Sequence, residues 1–268
     1  MYGFVDTSEF FRIIKLYTAS LQHFETDYFF KGEEHNFWEI VIVTEGKVGV
    51  TADKDVLTLG AGEAIIHEPM EFHRIWAEEK TKPIVVILTF SAEGMPEYEG
   101  KIFKVSDILR PQLILSELYN SYHIENCNIV GIEKDKLSQS QTALKELEIF
   151  VLNLLAKNIN KKESKSRTAE NYTKIIECMS KNLNKTLSVA DIALMCNMSE
   201  INLKKTFSRY SGMGVMEYFN KMKINQAVMM IQNGTSIKET AISFGFANQN
   251  YFSTVFKRVT VYSPKNYK

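Results

Sequence analysis

Polar and basic side chains recur in two short segments near the C-terminal end of this 268-residue chain. The first segment contains SEINLKKTFSRYSG and the second contains NQNYFSTVFKR. Glutamine and asparagine can pair bidentately with adenine, lysine can reach O6 and N7 of guanine, and isoleucine can contact a thymine methyl group. Lysines beside them can hold phosphates. These residue types indicate contact with double-stranded DNA.

The first segment is predicted to be the second helix of a helix-turn-helix module. Ala193 on the preceding helix is small enough to let the two helices approach closely. Ser199 should cap the second helix by accepting hydrogen bonds from its first N–H groups. Leu203 and Phe207, four residues apart, should then face inward. The residues expected at the DNA are Ile201, Asn202, Lys204, Lys205 and Arg209.

The second segment repeats this plan about 49 residues later, as the pair Phe207 and Phe256 shows. Gly245 is predicted at the turn, Asn248 at the helix cap, and Phe252 with Phe256 on the inner side. The residues expected at the DNA are Gln249, Asn250, Ser253, Thr254 and Lys257. Two copies of one reading module are therefore predicted.

Residues 215–232 lie between the two modules and are predicted to form one continuous helix. A helix of about 18 residues is ~27 Å long, close to the ~34 Å that separates successive major-groove faces. One chain could therefore read two consecutive turns of DNA.

The stretch SIKETAISFGFANQNYFSTVFKRVTVYSPKNYK resembles the signature of AraC/XylS-type transcriptional regulators, through its GF, YF, FK and SP pairs at the family spacing. The resemblance covers residues 170–268. It implies base contacts from Ile201, Lys204 and Lys205 in the first module and from Gln249, Asn250, Ser253 and Thr254 in the second. Three positions depart from the family pattern: Thr240 replaces Ile, Val261 replaces Gly, and Lys223 replaces Arg. We expect Val261 to perturb a turn and Lys223 to give up bidentate geometry.

The charge distribution separates the two halves of the chain. Residues 161–268 hold 17 Lys and Arg against 7 Asp and Glu, so their net charge is 17 − 7 = +10. Residues 1–160 hold the remaining 15 basic and 25 acidic residues, a net charge of −10. This asymmetry favours a polyanion partner for the C-terminal half.

The N-terminal half is predicted to be rich in β-strands. Short β-branched and aromatic runs between residues 36 and 90 are separated by Gly, Asp and Pro, which is typical of a sandwich or small barrel. The stretches GEEHNFWEIVIVTEGKVGV and GAGEAIIHEPMEFHRI resemble the cupin β-barrel that is commonly attached to this family of regulators. Against the metal-binding cupin pattern, His35, Glu39 and His73 match ligand positions, while Glu33 replaces a histidine. That set could hold a divalent metal, but we expect no bound metal or cofactor.

We expect an organic-effector pocket instead. Barrel mouths favour apolar walls with a few polar groups, and a sugar effector follows from the family resemblance. The residues assigned to this pocket are His35, Phe37, Trp38, Glu39, Phe72, His73, Arg74 and Trp76. Each aromatic residue could equally belong to the barrel core.

Four segments follow from these patterns. Residues 1–105 are predicted to be the cupin-like β-barrel, 106–160 accessory helices without strands, 161–169 a linker, and 170–268 the double helix-turn-helix domain. The fold class expected is multidomain α+β. The accessory helices offer a dimer surface, although their Leu and Ile stripe is equally what a domain core needs.

The function expected is a cytoplasmic, effector-controlled transcriptional regulator that also contacts RNA polymerase. Residues 1–9 lack the pattern of a secretory signal, and no membrane span is expected. The three cysteines indicate neither disulfides nor a zinc site. Two alternatives stay open, a metal-dependent cupin enzyme with a DNA-binding tail and an architectural DNA binder without sensing. No catalytic motif supports a general enzyme, so we expect no enzymatic activity and no catalytic residues.

Overall fold

The computed structural model describes residues 10–157 and 166–267. It contains two compact units, residues 1–52 with 57–164 and residues 53–56 with 165–268. The N-terminal residues 1–9, predicted to lack a secretory signal, and most of the predicted linker lie outside the described residues.

Among the described residues, the first unit is built mainly from ten β-strands. They are β1 (Arg12–His23), β2 (Trp38–Glu45), β3 (Lys47–Ala52), β4 (Asp55–Gly60), β5 (Glu63–His67), β6 (His73–Ala77), β7 (Ile84–Glu93), β8 (Ile102–Lys104), β9 (Tyr122–Glu125) and β10 (Asn128–Ile132). A seven-stranded sheet has the order β8-β5-β2-β7-β1-β10-β9, and a three-stranded sheet has the order β4-β3-β6. This cupin-like sheet domain is the one that the sequence predicts.

Strand β2 shows why this domain has two apolar layers. Successive side chains of a strand point to opposite faces of the sheet. Val41 and Val43 pack with Val50 of the smaller sheet, so they form the core between the two sheets. Ile40 and Ile42 belong to a second cluster on the other face. Because both faces are buried, the strand is an almost continuous apolar run.

Two helices cover that other face of the larger sheet. Helix α1 (Arg110–Ser121) and helix α2 (Leu137–Leu155) share one apolar cluster with β2, to which Leu118, Leu147 and Val151 contribute. Leu147, Val151 and Leu154 recur at helical spacing on α2, and all three are buried. A short 3-10 helix (Lys134–Lys136) precedes α2.

The prediction of a strand-free segment at residues 106–160 is wrong. Strands β9 and β10 form an antiparallel hairpin there, and β10 pairs with β1. Asn126 and Cys127 make the turn with φ angles of 48° and 67°. The hairpin is short and largely exposed, so its sequence carries little of the apolar alternation that indicates a strand.

The second unit is helical. Its helices are α3 (Arg167–Ser180), α4 (Val189–Met195), α5 (Glu200–Ser211), α6 (Val215–Gln232), α7 (Ile237–Ser243) and α8 (Gln249–Thr260), followed by a short 3-10 helix (Pro264–Tyr267). The prediction of one helix over residues 215–232 is confirmed by α6. The predicted linker at 161–169 extends too far, because α3 begins at Arg167, where Ser166 caps it and Ala169 is buried.

Helix caps set where the two reading helices begin. The Ser199 hydroxyl accepts a hydrogen bond from the Asn202 amide at the start of α5. Asn248 accepts one from the Tyr251 amide at 2.8 Å at the start of α8. Both predicted caps are confirmed, and each removes an otherwise unsatisfied N–H group. The predicted inner residues Leu203, Phe207, Phe252 and Phe256 are all fully buried.

Within the described residues, no helix is long and apolar enough to cross a membrane.

Candidate functional site

Helix α5 presents its predicted DNA-reading residues to solvent. Ile201 in its first turn is 80% exposed, which is unusual for an isoleucine and leaves its methyl groups available to a partner. Asn202, Lys204, Lys205 and Arg209 are exposed as well. Lys204 lies 3.4 Å from the Glu200 carboxylate, and the Arg209 guanidinium lies 5.5 Å from the Tyr210 ring. The five side chains therefore share one outward surface.

Helix α8 has the same arrangement. Gln249, Asn250, Thr254 and Lys257 are exposed, and Ser253 is half-buried. The Thr254 hydroxyl donates a 3.0 Å hydrogen bond to the Asn250 carbonyl within the helix. Since Asn248 caps the helix, Gln249 and Asn250 lie in its first turn, where helix-turn-helix proteins contact base edges.

Two cationic residues that the sequence reasoning missed lie beside α5. A cleft of about 670 Å³ is lined by Arg167 and Lys174 of α3 together with Lys205 and Arg209 of α5. In the described part of the chain, no carboxylate lines it. Arg167 and Lys174 fall seven residues apart on α3, a spacing that places them on one helix face. The sequence carries this spacing, but the predicted linker at 161–169 included Arg167 and so separated it from Lys174.

The family departures at Lys223 and Thr240 have local explanations. Lys223 of α6 is 4% exposed, and its Nζ donates hydrogen bonds of 2.6 Å to the Lys185 carbonyl and 2.8 Å to the Phe244 carbonyl. Burial lowers the pKa of Lys223 to about 8. Lys223 therefore satisfies two carbonyls without bidentate geometry. Thr240 is fully buried and donates to the Ser236 carbonyl at 2.9 Å.

Val261, the third departure, follows α8 with a φ of 70°. A β-branched residue in this left-handed region is strained, and a glycine would adopt the same angle without cost. The chain therefore still turns at Val261, although we expected this residue to perturb the turn.

In the first unit, Glu33, His35, Glu39 and His73 converge into what we name the His/Glu cluster. One ligand-type atom from each residue lies within 4.8 Å of the others. The Glu39 carboxylate lies 3.6 Å from His35 Nε2 and 3.5 Å from His73 Nε2. His73 Nε2 is also 3.7 Å from Glu33. Phe37 belongs beside this cluster, because its ring stacks on His35 at 3.9 Å.

The pKa shifts in the cluster reflect this crowding. The His73 imidazole, 3.7 Å away, lowers the pKa of the Glu33 carboxyl and outweighs the effect of burial. Burial alone would raise the pKa of Glu39, but nearby imidazoles, His35 first, outweigh burial and lower it. Burial opposes the charged form of His73, but Glu33 and Glu39 outweigh that effect and raise its pKa. The cluster thus favours negative carboxylates close to imidazole.

The structure does not bring Trp38, Arg74 and Trp76 into this cluster. Trp38 packs with the helix-covered apolar cluster and lies 6.4 Å from the Tyr98 ring. It therefore faces away from Glu39, its neighbour on β2. The Phe72 ring packs against Gly32, where an added Cβ would lie 2.5 Å from it. Of the eight predicted pocket residues, His35, Phe37, Glu39 and His73 meet, and Phe72 packs on Gly32, next to Glu33.

Arg74 and Trp76 alternate with His73 and Ile75 along β6, so their side chains lie on the opposite face of that strand. The Arg74 guanidinium lies 5.1 Å from the Phe29 ring and 5.9 Å from the Trp76 ring. The Trp76 indole donates to the Glu78 carboxylate at 2.7 Å. These contacts form a separate polar and aromatic patch.

Further polar residues that the sequence reasoning missed surround the cluster. The ring of His67 stacks on His73 at 4.4 Å, and its Nδ1 lies 2.7 Å from the Glu71 carboxylate. Burial, followed by the charge of His73, holds the pKa of His67 well below its usual value. Lys101 forms an ion pair with Glu71. Tyr17 stacks on Phe37 at 4.4 Å. The HEPME run was the available signal for His67 and Glu71.

Comparison with known domain families gives two matches. A model described as an AraC-like ligand binding domain matches residues 18–94. A model described as a helix-turn-helix domain matches residues 192–268. The two matches follow the order of the sheet unit and the helical unit along the chain.

Comparison with curated proteins gives relatives of the same kind. An HTH-type transcriptional regulator in the cgkA 5' region of Pseudoalteromonas carrageenovora is 32% identical over 114 residues, 40% of this chain and 68% of that protein. The transcriptional activator RhaR of Mannheimia succiniciproducens is 19% identical over 262 residues, 94% of this chain and 91% of RhaR. The transcriptional activator and DNA repair enzyme AdaA of Bacillus subtilis is 30% identical over 95 residues, 35% of this chain.

The chain spans less than half of AdaA, 45% of its length. All three relatives are named as transcriptional regulators or activators, and this class, rather than an enzyme class, is the one that the predicted signature indicated. The chain belongs to the AraC-type family of helix-turn-helix transcriptional regulators, with a ligand-binding domain followed along the sequence by a DNA-binding domain.

Proposed function

We propose that this chain regulates transcription by binding a specific double-stranded DNA site through α5 and α8. The observation that supports this most is the common arrangement of the two helices. Each begins at a capped turn and exposes side chains that can contact base edges in the major groove. Ile201, Lys204 and Lys205 read one major-groove segment. The second segment is read by Gln249, Asn250, Ser253 and Thr254.

Phosphate contacts hold the reading helices in register in this proposal. Lys257 and Arg209 lie near the C-terminal ends of α8 and α5, away from the first turn that reads bases. Arg167 and Lys174 line the cationic cleft beside α5 and extend the same surface. Asn202 lies in that cleft as well and donates to a phosphate or a base edge. Such contacts raise affinity without reading sequence.

The effector site of the proposal is the His/Glu cluster with Phe37, a smaller set than the eight residues predicted. The stacked rings of Tyr17, Phe37 and His35 offer an apolar wall, and the carboxylates beside them bind hydroxyl groups. A hydroxylated effector such as a sugar suits this mixture. Effector binding shifts DNA occupancy only if the effector binds the two functional states with different affinities.

The finer partners are part of the same proposal. We place the protein in the cytoplasm, where its DNA is found, acting as a homodimer that contacts RNA polymerase. The exposed Leu113, Ile149 and Leu152 on α1 and α2 offer an apolar dimer surface. Measuring the molar mass of the wild-type protein and of the Leu152→Glu variant by light scattering tests the dimer directly.

Binding to labelled duplexes tests the main proposal. The purified full-length chain is offered a random-sequence DNA pool, and the enriched site is then compared with its scrambled version at moderate salt. We expect the enriched site to bind at least about a hundredfold more tightly. This threshold is cautious, because specific DNA-binding proteins usually exceed it. Equal affinity for both duplexes would instead indicate an architectural DNA binder and would contradict the proposal.

A further inference from the structure

The two histidines of the His/Glu cluster have their ring nitrogens in unequal surroundings. His35 Nδ1 lies 2.9 Å from the carbonyl oxygen of Phe37, and His73 Nδ1 lies 3.0 Å from the carbonyl oxygen of Glu71. A carbonyl oxygen can only accept, so each Nδ1 must carry a proton. In the neutral imidazole, each Nε2 then presents a lone pair.

Both of these Nε2 atoms are buried and lack a hydrogen-bond partner within residues 10–157 and 166–267. Buried polar atoms are nearly always paired, so two unpaired atoms in one cluster require an explanation. Each Nε2 faces carboxylate oxygens, which are also lone-pair groups. Neutral imidazole and carboxylate repel each other in this arrangement unless a positive charge, either a proton on Nε2 or a metal ion, lies between them.

The separations fit a cation better than they fit hydrogen bonds. His35 Nε2 and His73 Nε2 lie 3.6 and 3.5 Å from Glu39, and His73 Nε2 lies 3.7 Å from Glu33. A charge-assisted N–H···O bond is about 2.7–2.9 Å long. Ligand atoms about 2.1 Å from a tetrahedral metal ion are about 3.4 Å apart, close to these three separations. Other separations in the cluster reach up to 4.8 Å and must shorten when an ion binds.

We propose that Glu33, His35, Glu39 and His73 form a binding site for one divalent transition-metal ion. Two imidazole nitrogens and two carboxylates suit a first-row divalent ion such as Zn²⁺, Ni²⁺, Fe²⁺ or Mn²⁺. The carbonyls that hold each Nδ1 proton orient the rings, which is the usual arrangement around metal-bound histidines. This site replaces the expectation that the domain holds no metal.

The ion also connects separate parts of the first unit. Glu33 pairs with His73 through a backbone bridge, His35 precedes β2, and Glu39 lies on β2. The Glu33 side chain is 49% exposed, so the site opens towards solvent on that side. An effector oxygen can reach the ion from there. The metal ion would thus be the group to which the effector binds in the proposed function. Metal binding itself does not depend on that function; only its effect on DNA binding rests on it.

Metal binding to the full-length chain tests this site. Chelator-treated protein is incubated separately with each of the four ions and desalted, and the bound metal is counted by elemental analysis. We expect about one ion per chain for at least one metal, together with a higher thermal unfolding temperature. His35→Gln and His73→Gln should each weaken binding at least about tenfold and abolish the thermal shift.

Matched variants control for general damage to the fold. His123→Gln changes an exposed histidine on β9 and should bind metal like the wild type. Glu33→Gln should weaken binding, whereas Glu34→Gln, at the adjacent position, should not. Because Glu33 is half-exposed, its variant keeps the test valid if the buried variants fail to fold.

Two outcomes would overturn the site: wild-type protein that retains none of the four ions, or binding that Glu33→Gln and His73→Gln leave unchanged. In either case, enrichment of a specific DNA site by the metal-free chain would show that the proposed function survives without the metal. Metal binding by a chain that prefers no DNA sequence would support the metal site and contradict the proposed function.

Discussion

The side-chain nitrogen of Lys223 donates a 2.8 Å hydrogen bond to the main-chain carbonyl of Phe244, which ties the long helix α6 to the end of α7. A second bond to the Lys185 carbonyl and the rings of Phe219 and Phe246, 4.6 and 5.4 Å away, complete its surroundings. This contact holds the turn of the second module against the connecting helix.

Lys223→Met is expected to destabilise the protein by about 1–3 kcal/mol at pH 7, because it leaves the buried Phe244 carbonyl without a donor. Lys223→Arg should stay within about 1 kcal/mol of wild type, since its guanidinium can reach both carbonyls. Urea unfolding measures both values. Equal stability of Lys223→Met and wild type would contradict the role of these bonds.

The same residue predicts a pH dependence. Its pKa is about 8 in the folded chain, below the ordinary value of 10.5, so between these values the unfolded chain holds more protons. Stability of the wild type relative to Lys223→Arg should therefore rise as the pH increases from 8 towards 10, and should be constant below 8. A relative stability that falls over this range would show that the folded pKa is not lowered.

Gly245→Ala is expected to destabilise the protein by more than about 2 kcal/mol. Gly245 has a φ of 67°, and an added Cβ would lie 2.8 Å from the Asn184 carbonyl oxygen. Gly234→Ala is the matched control, because Gly234 has a φ of 90° but open space around an added Cβ, and should cost only about 1 kcal/mol. Equal losses in urea unfolding would mean that close packing at the turn is unimportant.

Val261→Gly is expected to stabilise the protein by about 1 kcal/mol, because it removes strain at a φ of 70° on a residue that is 72% exposed. Val261→Ala keeps a Cβ and should gain less. Thermal unfolding compares the two variants with wild type. A Val261→Gly protein that is less stable than wild type would show that the left-handed angle carries no strain here.

Gln249→Ala and Lys257→Ala should affect DNA binding differently. Gln249→Ala should cost about 1–3 kcal/mol on the preferred site and relax its specificity, because it removes a base contact. Lys257→Ala should weaken binding to all duplexes alike and reduce the salt dependence by about one unit of slope. Titrations at several salt concentrations measure both effects. An equal loss on preferred and scrambled DNA for both variants would refute this division of roles.

Local features of the DNA-binding domain could be predicted because they depend on neighbours in sequence. Ser199 and Asn248 are recognisable as caps from the residues that follow them, and α6 follows from an unbroken helical run. The face of β2 could not be predicted. Trp38 and Glu39 are adjacent and must point to opposite faces, but because both faces of β2 are buried, the apolar run did not reveal which of the two faces the His/Glu cluster. The β9–β10 hairpin escaped for the related reason that it is mostly exposed.

The His/Glu cluster was recognised residue by residue, but its geometry was not. Glu33 and His73 are forty positions apart and meet only because a backbone bridge joins them. The burial that leaves both Nε2 atoms unpaired depends on the pairing of β2 with β5, which brings Glu39 beside His67. Such long-range pairing is absent from local sequence patterns.

Selection of bound duplexes from a random pool, repeated with Ile201→Ala and Gln249→Ala, tests the central claim most directly. The wild-type chain should enrich two sequence blocks about one helical turn apart, one for each reading helix. Ile201→Ala should lose information in one block and Gln249→Ala in the other. A single block, or loss of the same block in both variants, would contradict two independent readers in one chain.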